Sequence, residues 1–466
     1  MRPEKRSSFP SLLLLVSLAV ATFPGIDAHA KGSVEPPPII ISTDVAIGLI
    51  DTHGGKSLSP VSFNADATYD NDTEVAPQDI DDGLALAMAL NLDADDLVDV
   101  LAVVPTYGNA SLPGQVLAAR QITYTLKRRG DIPVVPGASG PVNQILHASP
   151  TWFDGTSSRI DGPLGSFRFA CVNKGVSVMR KLIGRNTSPV TILAVGPLTD
   201  VACLLSTAPE TVLKNIKEII VVASQQEGES VQINGLVVND FNFRMDPIAG
   251  ALLLDLSGTK KVPLKLMSFS LTGQTSQTGD VIPFDADNYP GPEEPDAASK
   301  ESFQWLLAAA APRNEFWSAI FGTPEGPFDQ YALSAVIRPE LFDCRPALAY
   351  VQQCPFPAWS ADYAVDQDGN PTEEPYNTTG NAPGDTEGNA CVDHGSEHGG
   401  SLSEVPAQLI VTLDLDDQGG LVRGMTGLDG NIPAIDSPAQ PVTACLDFAS
   451  ASARKEFEAL LKQYTW

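Results

Sequence analysis

From Pro38 onward, short runs of branched apolar residues alternate with longer stretches rich in Ala and Leu. Ile39-Ile40-Ile41-Ser42-Thr43 is apolar without alternation, as expected of a strand buried on both faces. Asp82 to Leu92 reads as a helix of strong helix formers, and Val98 to Val104 as the next strand. Gln115 to Arg129 comes next as a helix closed by Gly130. The alternation continues with strands at Val190–Val195, Ile219–Val222 and Val262–Phe269 and helices at Leu198–Ser206 and Pro247–Leu256. Such an order predicts an α/β fold, a mostly parallel sheet flanked by helices on both faces. Ligands of open parallel sheets sit beyond the carboxyl ends of the strands, so the residues just after each strand carry the chemistry.

Two stretches lack this periodicity. Residues 45–80 are rich in Gly, Ser, Asn and Asp, and residues 356–404 in Pro, Gly, Asp, Glu and Asn. Both read as insertions or loops within a single domain spanning 31–466.

Ahead of the domain, Arg2, Lys5 and Arg6 precede the apolar run Leu12 to Phe23, and Ala28-His29-Ala30 offers small residues for cleavage. This is the pattern of a signal peptide over residues 1–30, and it predicts a secreted or periplasmic protein. The run is short for a membrane span, and no later segment reaches spanning length without a charge, so no membrane partner is expected. Six cysteines in an exported chain permit disulfides. Cys344 and Cys354 are close enough in sequence to close a loop, Cys391 and Cys445 offer a second pair, and Cys203 reads equally well as a buried free thiol. The net charge of −28 repels phosphate backbones and argues against a nucleic-acid partner. Most of the 57 acidic side chains then serve solubility, and attention narrows to those placed just after strands.

Those positions are Asp44, the run Asp79-Ile80-Asp81-Asp82-Gly83, Thr106-Tyr107-Gly108-Asn109, Gly196-Pro197-Leu198-Thr199-Asp200, Asn234, Asn239-Asp240-Phe241-Asn242-Phe243, Asp246 and Phe328-Asp329. Carboxylates converging on one sheet edge repel unless a cation neutralises them, and hard oxygen donors select Ca²⁺ or Mg²⁺. Asn side chains beside them suit sugar hydroxyls. For Asp81 and Asp82 alone, capping of a helix N-terminus is the competing explanation.

Taken in order, these pieces resemble the inosine–uridine-preferring nucleoside hydrolase family, whose signature is a strand ending in Asp-x-Asp-Pro-Gly-x-Asp-Asp. IIISTD and DIDDGLALAMAL carry that likeness, continued by VVPTYGN, VTILAVGPLTDVACLL, VVNDFNFRMDPIAGALLL, FDQYALSAVIRPELF and Val422-Arg423-Gly424-Met425-Thr426. The resemblance implies a Rossmann-like open sheet and calcium-dependent hydrolysis of the N-glycosidic bond of a ribonucleoside, or a related N-ribosyl compound, to ribose and free base. It implies Asp44, Asp82, Asp329 and the carbonyl of Val195 as calcium ligands, with calcium holding the attacking water and the ribose 2′- and 3′-hydroxyls. Asp44 would also take a proton from that water. Asp81 would bind a ribose hydroxyl and Asn242 the ribose diol, Asn109 would orient water and sugar, and Asn234 and Asp240 would meet the 5′ side.

Three departures from the family pattern bear on the site. The 36 residues 45–80 split a signature that normally runs uninterrupted from its first Asp to the Asp pair. Asp51 or Asp79 could rebuild the register, but Asp44 is favoured because it directly follows the strand. Asp240 stands where the family commonly carries Glu, one methylene longer. Phe328 stands where many members carry a His that protonates the leaving base; Phe cannot donate a proton, and it reads either as a stacking surface for the base or as a packing residue. Phe328 and Asp240 also motivate an alternative, an exported protein that binds calcium and a ribosylated ligand without turnover. A homo-oligomer is left open by the sequence.

Overall fold

A computed structural model of the chain describes residues 35–46, 49–52, 59–60, 75–77, 80–109, 112–126, 132–140, 171–226, 232–233, 236–237, 242–243, 246–268, 271–272, 326–353, 407–412 and 439–465. The proposed signal peptide, the 356–404 segment and Arg423-Gly424 lie outside them. The elements fall within residues 37–466, which cluster as one unit, Met1–Pro36 being another.

Strands β1 (Pro38–Thr43), β2 (Leu49–Thr52), β3 (Ser59–Pro60) and β4 (Val75–Pro77) precede helix α1 (Asp81–Ala94). Then come β5 (Asp99–Pro105), α2 (Leu112–Thr125), α3 (Lys174–Arg185), β6 (Val190–Ala194) and α4 (Thr199–Thr207). A single helical turn (Glu210–Leu213) leads into β7 (Ile216–Val222), then β8 (Gln225–Gln226), β9 (Gln232–Ile233), β10 (Leu236–Val237), α5 (Pro247–Lys260) and β11 (Leu264–Met267). The last elements are α6 (Phe328–Ile337), a 3₁₀ turn (Pro339–Leu341), β12 (Phe342–Gln353), β13 (Ala407–Thr412), β14 (Gln440–Phe448) and α7 (Ala451–Tyr464).

The main sheet runs in the order β5-β1-β6-β7-β11-β14-β12-β13-β8. Every pairing from β5 across to β14 is parallel, and β12 is antiparallel to both β14 and β13. The fold is therefore the expected α/β one, a mostly parallel sheet with helices on both faces.

The unbroken apolar runs have a direct cause. Successive strand residues point to opposite faces, and here both faces are covered. Ile39, Ile41, Leu193, Ile220 and Val222 share one core cluster with α1, α2, α6 and α7. Ile40, Ile192, Ala194, Ile219 and Val221 share another with α3, α4 and α5.

The chain leaves β1 on one side to form β5 and returns on the other side as β6, so the direction of winding switches at β1. The strand ends are level there: Thr43 lies opposite Pro105, and Ser42 opposite Ala194. The segments leaving the carboxyl ends of β1, β5 and β6 are thereby gathered at one crevice.

Two expectations change. Residues 45–80 contain a small antiparallel sheet, β3-β2-β4, where the sequence suggests only a loop. Strands of two to four residues are too short to show a period. The cysteine pairing also differs. Cys171 bonds Cys203, so Cys203 is no free thiol, and Cys344 bonds Cys445. The second bond spans 101 residues of sequence because β12 and β14 are neighbours that place Cys344 opposite Cys445. Cys354 and Cys391 lie outside the described residues.

Candidate active site

β1 exchanges its isoleucines for Ser42-Thr43-Asp44 as it reaches the sheet edge, and Asp44 stays fully buried. Two glycines make room for it. At Gly108 a Cβ would collide with the Asp44 carboxylate, and the φ of +152° suits glycine alone. At Gly196 a Cβ would stand 2.8 Å from Asp44 Oδ1. The backbone N–H of Asn109 donates to Asp44 Oδ2 at 2.9 Å. The turn after β5 and the turn after β6 are thus closed around one carboxylate.

Asp81 and Asp82 open α1, yet neither is its N-cap. Ile80 holds that position with no side-chain cap bond. Asp81 Oδ1 accepts the N–H of Asp82 at 3.0 Å. Asp82 Oδ1 instead reaches across to β1, accepting from the Thr43 hydroxyl and from the Asp44 N–H at 3.2 Å. Its Oδ2 faces the Asn109 side-chain amide at 3.5 Å. Asp329 lies in the first turn of α6, which packs against α1. Carboxylate oxygens of Asp81, Asp82 and Asp329, all buried, lie within 4.8 Å of one another. Two helix N-termini therefore converge on the same carboxylates, and their partial positive charge favours anions there.

That relief is incomplete. Two full charges 4–5 Å apart repel by about 4 kcal/mol at an effective dielectric of 20. A donor set of buried carboxylate oxygens at this spacing fits a hard divalent cation, which neutralises the charge and accepts oxygen ligands. The chemistry of the residues present therefore suits Ca²⁺.

The carbonyl of Val195 sits at the end of β6. The Asn242 side-chain amide bridges it to the end of β7, donating to Val195 O at 3.1 Å and Val222 O at 3.2 Å. Phe328, the residue beside Asp329, is buried within the α1-side core cluster. Asp44, Asp81, Asp82, Asn109, Val195, Asn242, Phe328 and Asp329 thus belong to neighbouring strand-end and helix-start segments. Asn234 and Asp240 lie outside the described residues, as does Asp79.

Behind these residues lies a second polar layer. The Thr199 hydroxyl donates to Asp246 Oδ2 at 2.5 Å, and the Tyr107 hydroxyl lies 3.1 Å from Thr199 Oγ1. Asp246 Oδ1 caps α5 through the Ala249 N–H at 3.0 Å. Asp200 accepts the Ala138 N–H at 2.9 Å and the Asn173 amide at 2.7 Å. Burial pushes the Asp200 carboxyl above its ordinary pKa despite those donors. Burial likewise lifts the Tyr107 hydroxyl well above its usual value, and the nearby charge of Asp246 adds to this. Thr43 is the site residue that sequence reasoning passed over. Its signal was only a hydroxyl between an apolar strand and Asp44, a pattern too common to single out.

Known proteins share both the sequence pattern and the fold. The family model for inosine-uridine preferring nucleoside hydrolase matches residues 68–448. The pyrimidine-specific ribonucleoside hydrolase RihA of Salmonella arizonae is 31% identical over 209 residues, covering 44% of this chain and 62% of that protein. RihA of Escherichia coli is 33% identical over 175 residues, covering 37% of this chain and 53% of that protein. The matched region thus spans about half to three fifths of the length of these curated relatives. Among solved structures, the plant nucleoside hydrolase PpNRh1 shares the fold at a TM-score of 0.52 with 16% identity, covering 92% of this chain and 99% of that one.

Proposed function

We propose that this chain, which belongs to the inosine-uridine preferring nucleoside hydrolase family, hydrolyses the N-glycosidic bond of ribonucleosides in a calcium-dependent reaction. The observation that carries the reading is the convergence of Asp81, Asp82 and Asp329 beside Asp44 and Asn109 at the switch point of a parallel sheet. The pyrimidine-specific ribonucleoside hydrolase activity named for the RihA relatives agrees with it.

Asp82 and Asp329, two of the three converging carboxylates, would hold calcium together with Asp44 and the Val195 carbonyl. When bound, the ion would lower the pKa of water and gather the ribose hydroxyls. Asp44 takes the proton of the attacking water as its oxygen bonds to the anomeric carbon, and the bond to the base nitrogen breaks with its electron pair going to the base. The sugar passes through a cation-like state that the surrounding carboxylates favour electrostatically. Asp81 would bind a ribose hydroxyl and Asn242 the ribose diol, Asn109 would orient water and sugar, and Asn234 and Asp240 would serve the 5′ side. Phe328, buried in the α1-side core, supplies no proton, so the base draws its proton from another donor. The chain acts outside the cytoplasm, a reading supported by its N-terminal pattern and its disulfides.

The test is a panel of purine and pyrimidine ribonucleosides given to the purified protein with Ca²⁺ or with chelator, reading ribose release. Release that stops on chelation and returns with Ca²⁺ is expected. Release indifferent to chelation overturns the calcium assignment. Calorimetric nucleoside binding without release selects the non-catalytic binding protein instead.

A further inference from the structure

We propose that Tyr107 is a positioning residue, whose hydroxyl braces the loop that presents Asn109 by way of Thr199 and Asp246. A threonine hydroxyl has a single proton. Thr199 donates its proton to the Asp246 carboxylate, so in the 3.1 Å contact the Tyr107 O–H must be the donor. The result is a directed chain, Tyr107 to Thr199 to Asp246, ending on a charge. Hydrogen bonds in such chains polarise and strengthen one another. Tyr107 is 3% exposed and Thr199 fully buried, so water does not readily substitute for either partner.

The chain joins three segments that the sheet alone leaves independent. Tyr107 stands two residues before Asn109, whose N–H and side chain address Asp44 and Asp82. Thr199 begins α4, just after the Val195 turn. Asp246 caps α5 and returns its own N–H to Phe243 O at 3.2 Å, next to Asn242. Gly108, between Tyr107 and Asn109, has backbone freedom that the Asn109 N–H bond to Asp44 limits on its far side and the phenol on its near side. Two further anchors of this loop are the backbone bonds from Thr106 N–H to Thr43 O at 2.8 Å and from Tyr107 N–H to Ala138 O at 3.1 Å, both on the near side of Gly108. The phenol fixes the direction in which the loop leaves those anchors.

The kinetic part of the test rests on the proposed function, and the exchange part does not. The full chain carrying Tyr107→Phe, Thr199→Val, Thr199→Ser or the pair Tyr107→Phe/Thr199→Val is compared with the unsubstituted protein. Hydrogen–deuterium exchange is read over peptides spanning 106–109, together with kcat and KM for ribose release. Loss of one buried hydrogen bond should speed exchange there about tenfold in Tyr107→Phe and in Thr199→Val, with β6 and β7 unchanged. kcat should fall about tenfold with KM kept within about twofold, as expected when a group that acts in the transition state is misplaced. The double variant should be no worse than the more affected single one, and Thr199→Ser should behave as the parent. Tyr107→Phe indistinguishable from the parent, effects that multiply in the double variant, or exchange accelerated throughout the chain would overturn the inference. A parent that releases no ribose while Tyr107→Phe still loosens 106–109 would sink the proposed activity and leave the brace standing.

Discussion

Asp44 occupies its place because two glycines and one backbone N–H are built around it. The proposed general base, held in this way, admits a sharp prediction. Asp44→Asn keeps the shape and removes the proton acceptor, so kcat should fall by about 10²–10⁴ with little loss of folding. Steady-state kinetics alongside thermal melting would show the split. Asp200 makes a different one. Its folded-state pKa is raised by burial, so its titration contributes stability that is full below the unfolded-state value and is lost as pH rises through the raised one. Asp200→Asn should cost about 1–3 kcal/mol at acid pH through lost acceptor geometry toward Ala138 and Asn173. The gap to the parent should narrow as pH rises, read by urea unfolding across the series. Both residues were visible in the sequence as carboxylates after strands. What was not visible is that Asp44 meets Asn109 and Asp82 whereas Asp200 fastens the 136–138 segment, because the two differ only in the partners brought to them by distant strands.

Elements divide in the same way. β1, β5, β6 and β7 were legible because strands buried on both faces must be apolar at every position. α1 was legible from composition, but its first turn was ambiguous. The carboxylates there prove not to cap the helix, since Ile80 is the N-cap and Asp82 is turned toward β1. α7 was not predicted, although its buried Ala453, Phe457, Leu460, Leu461 and Tyr464 recur at helical spacing. β12 was harder, because Arg345-Pro346 interrupts its apolar pattern and half of its pairing is with a strand almost 100 residues away. The Cys344–Cys445 bond ties β12 to β14 across 101 residues and Cys171–Cys203 ties the approach to α3 to α4 across 32. On the chain-entropy argument these loops are worth up to about 5 and 4 kcal/mol. Cys344→Ala/Cys445→Ala should therefore lower the melting temperature more than Cys171→Ala/Cys203→Ala, as differential scanning calorimetry would show.

At the scale of the molecule, the net charge of −28 and the buried carboxylate group predict that folding responds to cations. A ligand that binds only the folded chain stabilises it by about 2.7 kcal/mol at a hundredfold excess over its Kd. Calcium should raise the melting temperature by a few degrees in the parent. Asp329→Asn should abolish most of that rise, whereas an equal ionic strength of NaCl should not reproduce it. A calcium-induced shift unchanged in Asp329→Asn would show that the ion binds elsewhere on the acidic surface. Among the described residues no helix is long and apolar enough to cross a membrane.

The sequence by itself determined the α/β alternation, the burial of both sheet faces, and the set of polar residues that stand after the strands. Those properties are local: a residue's burial and its place at a strand end are written in its neighbours. Only the tertiary structure decided which carboxylates meet, that Asp81 joins Asp82 and Asp329 within 4.8 Å, which cysteines pair, and that Tyr107, Thr199 and Asp246 form one chain. Each of these depends on strand order and register, which arise from the packing of the whole sheet and leave no period along the chain.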